Sequence, residues 1–395
     1  MIAWPPCHSL RVLVLGMLLL APAACGGDGR TDPVDIAEIT LEPESVVLEE
    51  PGRSRQLTAT ALDTQGNPVD DPPLNWTSSD PEIVTVSATG LLRAQGFGNA
   101  EVTAAFGAVS ATATVSVKRF SIVLTYLSPL TNSQLAAFEA ARDRWESLII
   151  GDLPDVNQNV PPNECGNNPA TSGPFDDLLI FVTVKHIDNV GGTLGQAGPC
   201  FVRVPGDLTV IGRMEFDEDD LEIIENEGLL QATVLHEMGH VLGFGTLWRP
   251  EVFDLLRDSS VANAVPPLPD THFIGPQAIA AFNASGGSSY TGAKVPVEND
   301  GEAGTVNAHW RESVFGNELM TGFVDAGSNP LSVISVRAMQ DITYSVSVAG
   351  ADAFTFNPAL RVAGSQRGRW MVNDIIRDPI RRIDVNGNIV GVIHP

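Results

Sequence analysis

Residues 234–248 read "VLHEMGHVLGFGTLW", and the identity of the second half of this chain turns on them. His236 and His240 are four positions apart. On an α-helix that spacing puts both imidazoles on one face, one turn from each other. Two imidazoles so placed can grip a single cation. Glu237 stands beside the first, able to reach a water on that cation without being a ligand. Leu229, Leu230, Ala232, Leu235, Met238, Val241 and Leu242 give the helix an apolar lining, and Gly243 supplies a stop. The "ENEG" that precedes the segment puts acids near the positive helix end. An acid and two histidines buried on an apolar helix are expensive without a partner. That cost favours a metal over two satisfied core histidines.

The pattern is His-Glu-x-x-His, in which a zinc ion sits on the imidazoles and the glutamate serves as a general base. A catalytic zinc usually takes three protein ligands and leaves its fourth position to water. The longer form of the pattern has a glycine and then a third histidine at position 246. Gly243 is present, but Thr246 stands where the histidine belongs. Either the site is incomplete or the third ligand comes later in the chain. His8 and His394 lie near the chain ends, and His186 falls in a predicted strand, where a structural role fits. His272, inside a loop-like insert, is one candidate. His309, which opens "HWRESVFGNELMTGF", is the other.

Residues 120–347 resemble the leishmanolysin-like zinc metallopeptidases, a branch of the metzincins, and their bacterial members in particular. "HEMGHVLGFGTLW" and "HWRESVFGNELMTGF" carry the resemblance, with "FIGPQAIAAFNA" between them. In that family a long insertion separates the helix glycine from the third zinc histidine, and a methionine-containing turn underlies the metal. The resemblance implies one catalytic zinc on His236, His240 and His309, with Glu237 as the base and Met320 as the turn methionine. It implies peptide or protein substrates. Some metzincins place a tyrosine just after that methionine as a second oxyanion donor, but here Thr321, Gly322 and Phe323 follow. Arg311 and Glu312 read most simply as an ion pair.

Upstream, residues 1–24 carry one arginine, a short apolar run and then small residues, the layout of a secretory signal. Cys25, after Leu-Ala-Pro-Ala-Ala and before Gly-Gly-Asp-Gly, resembles a bacterial lipobox cysteine, and 25–34 read as a flexible tether. The chain is expected to be exported, as an envelope or surface lipoprotein or in secreted form. With Cys7 in the signal and Cys25 a lipid site, Cys165 and Cys200 remain as an even pair, which predicts a disulfide.

Residues 35–118 alternate apolar and polar positions. Leu57, Ala59 and Ala61 point one way, as do Val109, Ala111, Ala113, Val115 and Val117, with turn signals between the runs. This predicts an all-β sandwich. "LNWTSSDPEIVTVSATGLLRAQGFGNAEVTAAFG" resembles the group 2 bacterial immunoglobulin-like domain, implying a surface spacer or adhesion module with Trp76 in its core. The next domain reads as α+β. A strand at 120–127 leads to a helix with a capping box, Thr131 and Gln134, and an apolar face of Leu135, Phe138, Ala141, Trp145 and Leu148. Strands follow at "DLLIFVTVKHI" and "LTVIGRMEFD". Residues 249–308 read as loops with one short helix. The 348–395 extension holds a β-hairpin, its Asn386-Gly387 suggesting a type I′ turn. Calcium is a weaker alternative at a loop starting at Asp384 and at "EFDEDD" (215–220), the latter otherwise a solvated acidic loop.

Composition is that of a multidomain globular chain, 43% hydrophobic and 18% charged over 395 residues. A net charge of −25 argues against a nucleic-acid partner, which needs a basic face. Any membrane contact is expected only through the lipid anchor. The rival reading is a surface adhesin whose metallopeptidase-like domain binds without cutting.

Overall fold

The computed structural model describes residues 35–287, 293–356 and 368–394. The signal segment, the tether and Cys25 lie outside these. Among the described residues no helix is long and apolar enough to cross a membrane.

Residues 38–117 form a sandwich of short strands. A four-stranded sheet faces a three-stranded one, with a two-stranded pair (Glu38–Glu42 with Thr58–Leu62) closing one side. Leu57, Ala61, Ala113, Val115 and Val117 are buried, as the alternation requires. Trp76 packs half-buried on this core, and its ring lies 2.9 Å from where a Cβ on Gly90 would stand. Gly90 has a φ of +81°, so that turn depends on glycine twice over.

The second unit is built on one mixed sheet. Its strands are β1 (Ile122–Tyr126), β2 (Leu178–Lys185), β3 (Gly195–Arg203), β4 (Thr209–Asp217), β5 (Ile380–Ile383) and β6 (Ile389–Ile393). The spatial order is β1-β2-β4-β3-β5-β6. Strands β1, β2 and β4 are parallel, β3 runs against β4, β5 runs with β3, and β6 folds back on β5. The glycine-rich stretch holding Cys200 is thus a nine-residue strand, β3. Its partners on both sides override the low strand propensity of glycine. Cys200 on this strand is bonded to Cys165.

Helix α1 (Asn132–Leu148) has the expected capping box, with Thr131 accepting from the Gln134 amide and the Gln134 side chain bonded back. Phe138, Ala141, Trp145 and Leu148 are buried; Leu135 is only partly so, because Gln134 takes its place. Gln134 can do this because its side chain donates to Glu225 (2.9 Å). Helix α2 (Glu218–Asn226) starts directly from β4, and α3 (Leu230–Leu242) carries the histidine pattern. "ENEG" lies at the end of α2 rather than in the first turn of α3, where no acid stands. Trp145 Nε1 donates to the Leu235 carbonyl (3.0 Å), pinning α3 to α1. In the insert, α4 (Pro276–Ala284) is the expected helix; α5 (Glu312–Phe315) and α6 (Val333–Asp341) follow.

Two acidic sequences find structural work. "EFDEDD" is a strand–helix junction, not a loop: Glu215 pairs with Lys185 (2.8 Å), and Asp217 caps α2 while accepting from the Ile187 and Asp188 amides. Asp384 accepts from the Asn386 and Asn388 amides (both 2.9 Å), closing the β5–β6 hairpin. Only Gly387 there has a positive φ, so the connection is not the type I′ turn that the Asn-Gly pair suggested.

Candidate metal centre

The α3 backbone sets His236, Glu237 and His240 in place, and all three are fully buried. Gly243 ends the helix in the left-handed region at φ 115°. The chain then doubles back, so that the Phe244 carbonyl accepts from His240 Nδ1 (2.9 Å). Thr246 sits where the longer pattern would have a histidine, and it donates to the His240 carbonyl (3.0 Å). It finishes the helix instead of reaching the metal site.

His309 arrives on the insert. Gly245 has φ +72°, and a Cβ there would lie 2.2 Å from the Ala308 carbonyl oxygen, so only glycine permits this approach. The main chain of His309 is clamped from both sides. Its carbonyl accepts from the Glu298 amide (2.8 Å), and the next amide, of Trp310, donates to Met320 O (2.9 Å). Met320 lies beneath α3, its Cε 2.9 Å from the Cβ position of Gly239, the residue just before His240. The Met320 turn is held by buried Glu318, which accepts from the Met320 amide and, on its other oxygen, from Ser332 and Ser335.

The three rings share one arrangement. His236 Nδ1 faces Leu319 O (2.7 Å), His240 Nδ1 faces Phe244 O, and His309 Nδ1 faces Thr305 O (2.9 Å). A carbonyl only accepts, so each Nδ1 carries the proton and each Nε2 presents a lone pair. The three Nε2 atoms converge, 2.9, 3.0 and 3.1 Å apart. A fourth group joins them. Asp374 Oδ2 lies 2.8 Å from His309 Nε2, 3.4 Å from His236 Nε2 and 3.8 Å from His240 Nε2, and is itself fully buried. Neither Asp374 oxygen makes a well-aligned hydrogen bond.

Four buried acceptors pointing at one another repel, and only a cation satisfies them together. Burial lowers His240 well below its ordinary pKa, and the other two rings add to that. His236 is also lowered, burial outweighing the pull of Asp374. At His309 burial again works downward, but Asp374 outweighs it and the net shift is upward. Burial would raise the Asp374 carboxyl; the imidazoles, His309 first, hold it well below the carboxylate range. A single proton on His309 would still leave the lone pairs of His236 and His240 facing each other at 2.9 Å. The donor set, three neutral imidazoles and a carboxylate, suits zinc.

Glu237 is the other anomaly. Neither of its oxygens has a hydrogen-bond partner. Burial drives its carboxyl well above the ordinary range, and the charge on Asp374 pushes the same way.

A family model described as leishmanolysin matches residues 154–359, just over half of the chain. This chain belongs to the leishmanolysin family. The leishmanolysin family is one of zinc-dependent metallopeptidases, and the converging histidines with Asp374 are a group that could hold a metal ion. A second match, to the group 2 bacterial Ig-like domain, covers residues 35–117. No curated protein matches. Among solved structures, domains 4 and 5 of the S-layer protein SbsC align at 22% identity, over 21% of this chain and 51% of that one, with a TM-score of 0.18. Domains 5-6 of the same protein align at 17% identity, over 24% and 55%, again with a TM-score of 0.18. The chain spans about half the length of these two structures.

Of the leishmanolysin-type residues expected from sequence, His236, His240 and His309 meet at one point, with Met320 beneath them. His272 does not join them: it lies in a short strand with Nδ1 on Asp270 O (2.6 Å). His186 is exposed, 3.2 Å from Asp219. Arg311 bonds the Val297 and Thr271 carbonyls and Asp270, bracing the insert behind His309. Tyr344 gives its hydroxyl to Leu242 O (3.1 Å), far from any oxyanion role. Sequence reading missed Glu318 and Asp374. Glu318 is a lone acid in "GNELMTG", and Asp374 a lone acid in "MVNDII". An acid set between an asparagine and apolar residues was the only signal either one offered.

Proposed function

We propose that this chain is an exported zinc metalloendopeptidase in which His236, His240 and His309 hold the metal and Glu237 is the general base. The observation that carries the reading is the convergence of three Nε2 lone pairs beside a buried, unpartnered glutamate. When bound, zinc supplies Lewis acidity that polarises a peptide carbonyl and makes water nucleophilic near neutral pH.

The protein's part is positioning and proton transfer. The carbonyls of Leu319, Phe244 and Thr305 lock each ring in the tautomer that offers Nε2. Glu237, raised by burial, is a stronger proton acceptor than a solvated carboxylate. It takes a proton from the attacking water on an Oε atom and returns it to the departing amine nitrogen. Met320 packs under Gly239, the residue just before His240. Export fits the leader-like residues 1–24, anchorage fits Cys25, and the Ig-like unit suits a spacer or a contact with a surface ligand.

One observation favours the second reading, a binding protein with a silent peptidase domain: all four converging groups are sealed from solvent. The experiment is metal analysis with casein digestion. We expect one zinc per chain, loss of zinc in His309→Ala, and cleavage that a chelator stops. One bound zinc with no cleavage by wild type or by Asp374→Ala would favour the silent domain.

A further inference from the structure

We propose that Asp374 is a fourth metal ligand, carried in by a strap of residues 368–376 that occupies the substrate cleft and holds the full chain latent. This rests on the metal-centre reading above. The strap spans both walls of the site. On one side Arg369–Trp370 pair antiparallel with Phe323–Val324, just past Met320, and the Met371 amide donates to Gly322 O (2.9 Å). Thr305, whose own carbonyl orients His309, donates its hydroxyl to Met371 O (3.3 Å). On the other side the Ala197 amide of β3 donates to Asp374 O (2.7 Å), and Ile376 donates back to Ala197 O (2.9 Å).

This is how an extended peptide adds to a sheet edge, main chain to main chain. The edge it takes is the stretch of β3 beside the metal ligands; further along, β3 is paired with β5 through Phe201–Arg203. An extended peptide adding to this sheet beside the metal ligands would take that same edge, and the strap already fills it. The family match stops at residue 359, before the strap begins.

A metal held by four protein groups is the closed arrangement of a structural site, whereas a catalytic site leaves one position open. Glu237 argues against a purely structural role. Burying a carboxyl with neither oxygen partnered is costly and would serve nothing there. Withdrawal of the strap frees the position that water and substrate require and gives Glu237 its function. The strap is also built to leave. Arg377, Asp378 and Pro379 are exposed and separate it from β5, which stays pinned in the sheet. Its buried anchors are few: Met371, Asp374, Ile375 and Ile376.

The test uses the full chain, wild type and three variants: Asp374→Asn, Asp374→Ala and Met371→Ala. The last loosens the strap without touching a ligand. Each is loaded with cobalt(II) and titrated with acetohydroxamate, a small chelating probe. We expect one metal per chain throughout and an altered visible spectrum in both Asp374 variants. Hydroxamate should bind at least about tenfold more tightly in Asp374→Ala and Met371→Ala, because apparent affinity scales with the open fraction. Unchanged spectra and unchanged hydroxamate affinity in all three variants, with one metal bound, would overturn the strap alone. A folded wild type that binds no metal would remove the metal centre and the strap together. Altered spectra and tighter hydroxamate, with casein intact throughout, would keep Asp374 as a ligand and remove the peptidase reading.

Discussion

His236 and His240 share one helix, while His309 is brought to them from sixty-nine residues beyond His240 and Asp374 from further still. The first pair needs only three helical residues between its members. The second pair needs a left-handed turn at Gly245, a clamp from Glu298 and Met320, and a sheet that β5 and β6 complete. The helix half of the site is therefore robust to local change. The delivered half is the part that insertions, strap movements or backbone strain can open.

That contrast can be pressed experimentally, starting with the largest effect. Glu237→Ala should lower peptide hydrolysis by about 10²- to 10⁴-fold, the range for a lost general base. The comparison should be made in whichever of wild type or Asp374→Ala turns over faster, and metal analysis should still find one zinc per chain. A variant that keeps its activity would exclude Glu237 as the base.

The next step is to remove one ligand from each half. His236→Ala and His309→Ala should both weaken zinc by more than the roughly 10- to 100-fold typical of losing an outer hydrogen-bond partner. Only His309→Ala should also loosen the insert, seen as faster amide exchange at 298–311, while α3 keeps its protection. Equal loosening of α3 in His309→Ala would mean that the helix half is not independent.

Gly245→Ala tests delivery without touching a ligand. Its Cβ would meet the Ala308 carbonyl oxygen at 2.2 Å, so backbone must move. We expect about 2 to 4 kcal/mol of destabilisation in thermal unfolding and weaker zinc binding. Gly191→Ala is the control: its φ is +83° but nothing lies within 4 Å of its Cβ position. It should cost only about 1 kcal/mol and leave zinc unchanged. Similar effects in the two variants would show that the approach of residue 308 is not tight.

The smallest effect is expected from Met320→Leu, a volume-conserving change against Gly239. It should cost less than about 1.5 kcal/mol and keep one zinc. Loss of zinc in this variant would give the methionine a role beyond packing.

How much of this was readable beforehand follows the same division. The period-two alternation of Val109 to Val117 showed a strand and its inward face, because both are local properties of the backbone. The capping box at Thr131 and Gln134 was readable for the same reason. The nine-residue strand through Gly195 and Gly198 was not: its stability comes from β4, β5 and the strap, all distant in sequence. The hairpin at 384–388 was visible as a hairpin, but Asp384 rather than the Asn-Gly pair organises its turn.

By itself the sequence determined that two imidazoles and a carboxylate lie one turn apart on an apolar helix, since helical periodicity makes neighbours of positions three and four apart. Family likeness extended that to His309 and Met320. Only the tertiary structure decided that Thr246 caps a helix and that Asp374 faces the same point as three histidines. Those placements depend on which distant backbones pair, and an aspartate between an asparagine and two isoleucines carries no trace of the strand that will set it there.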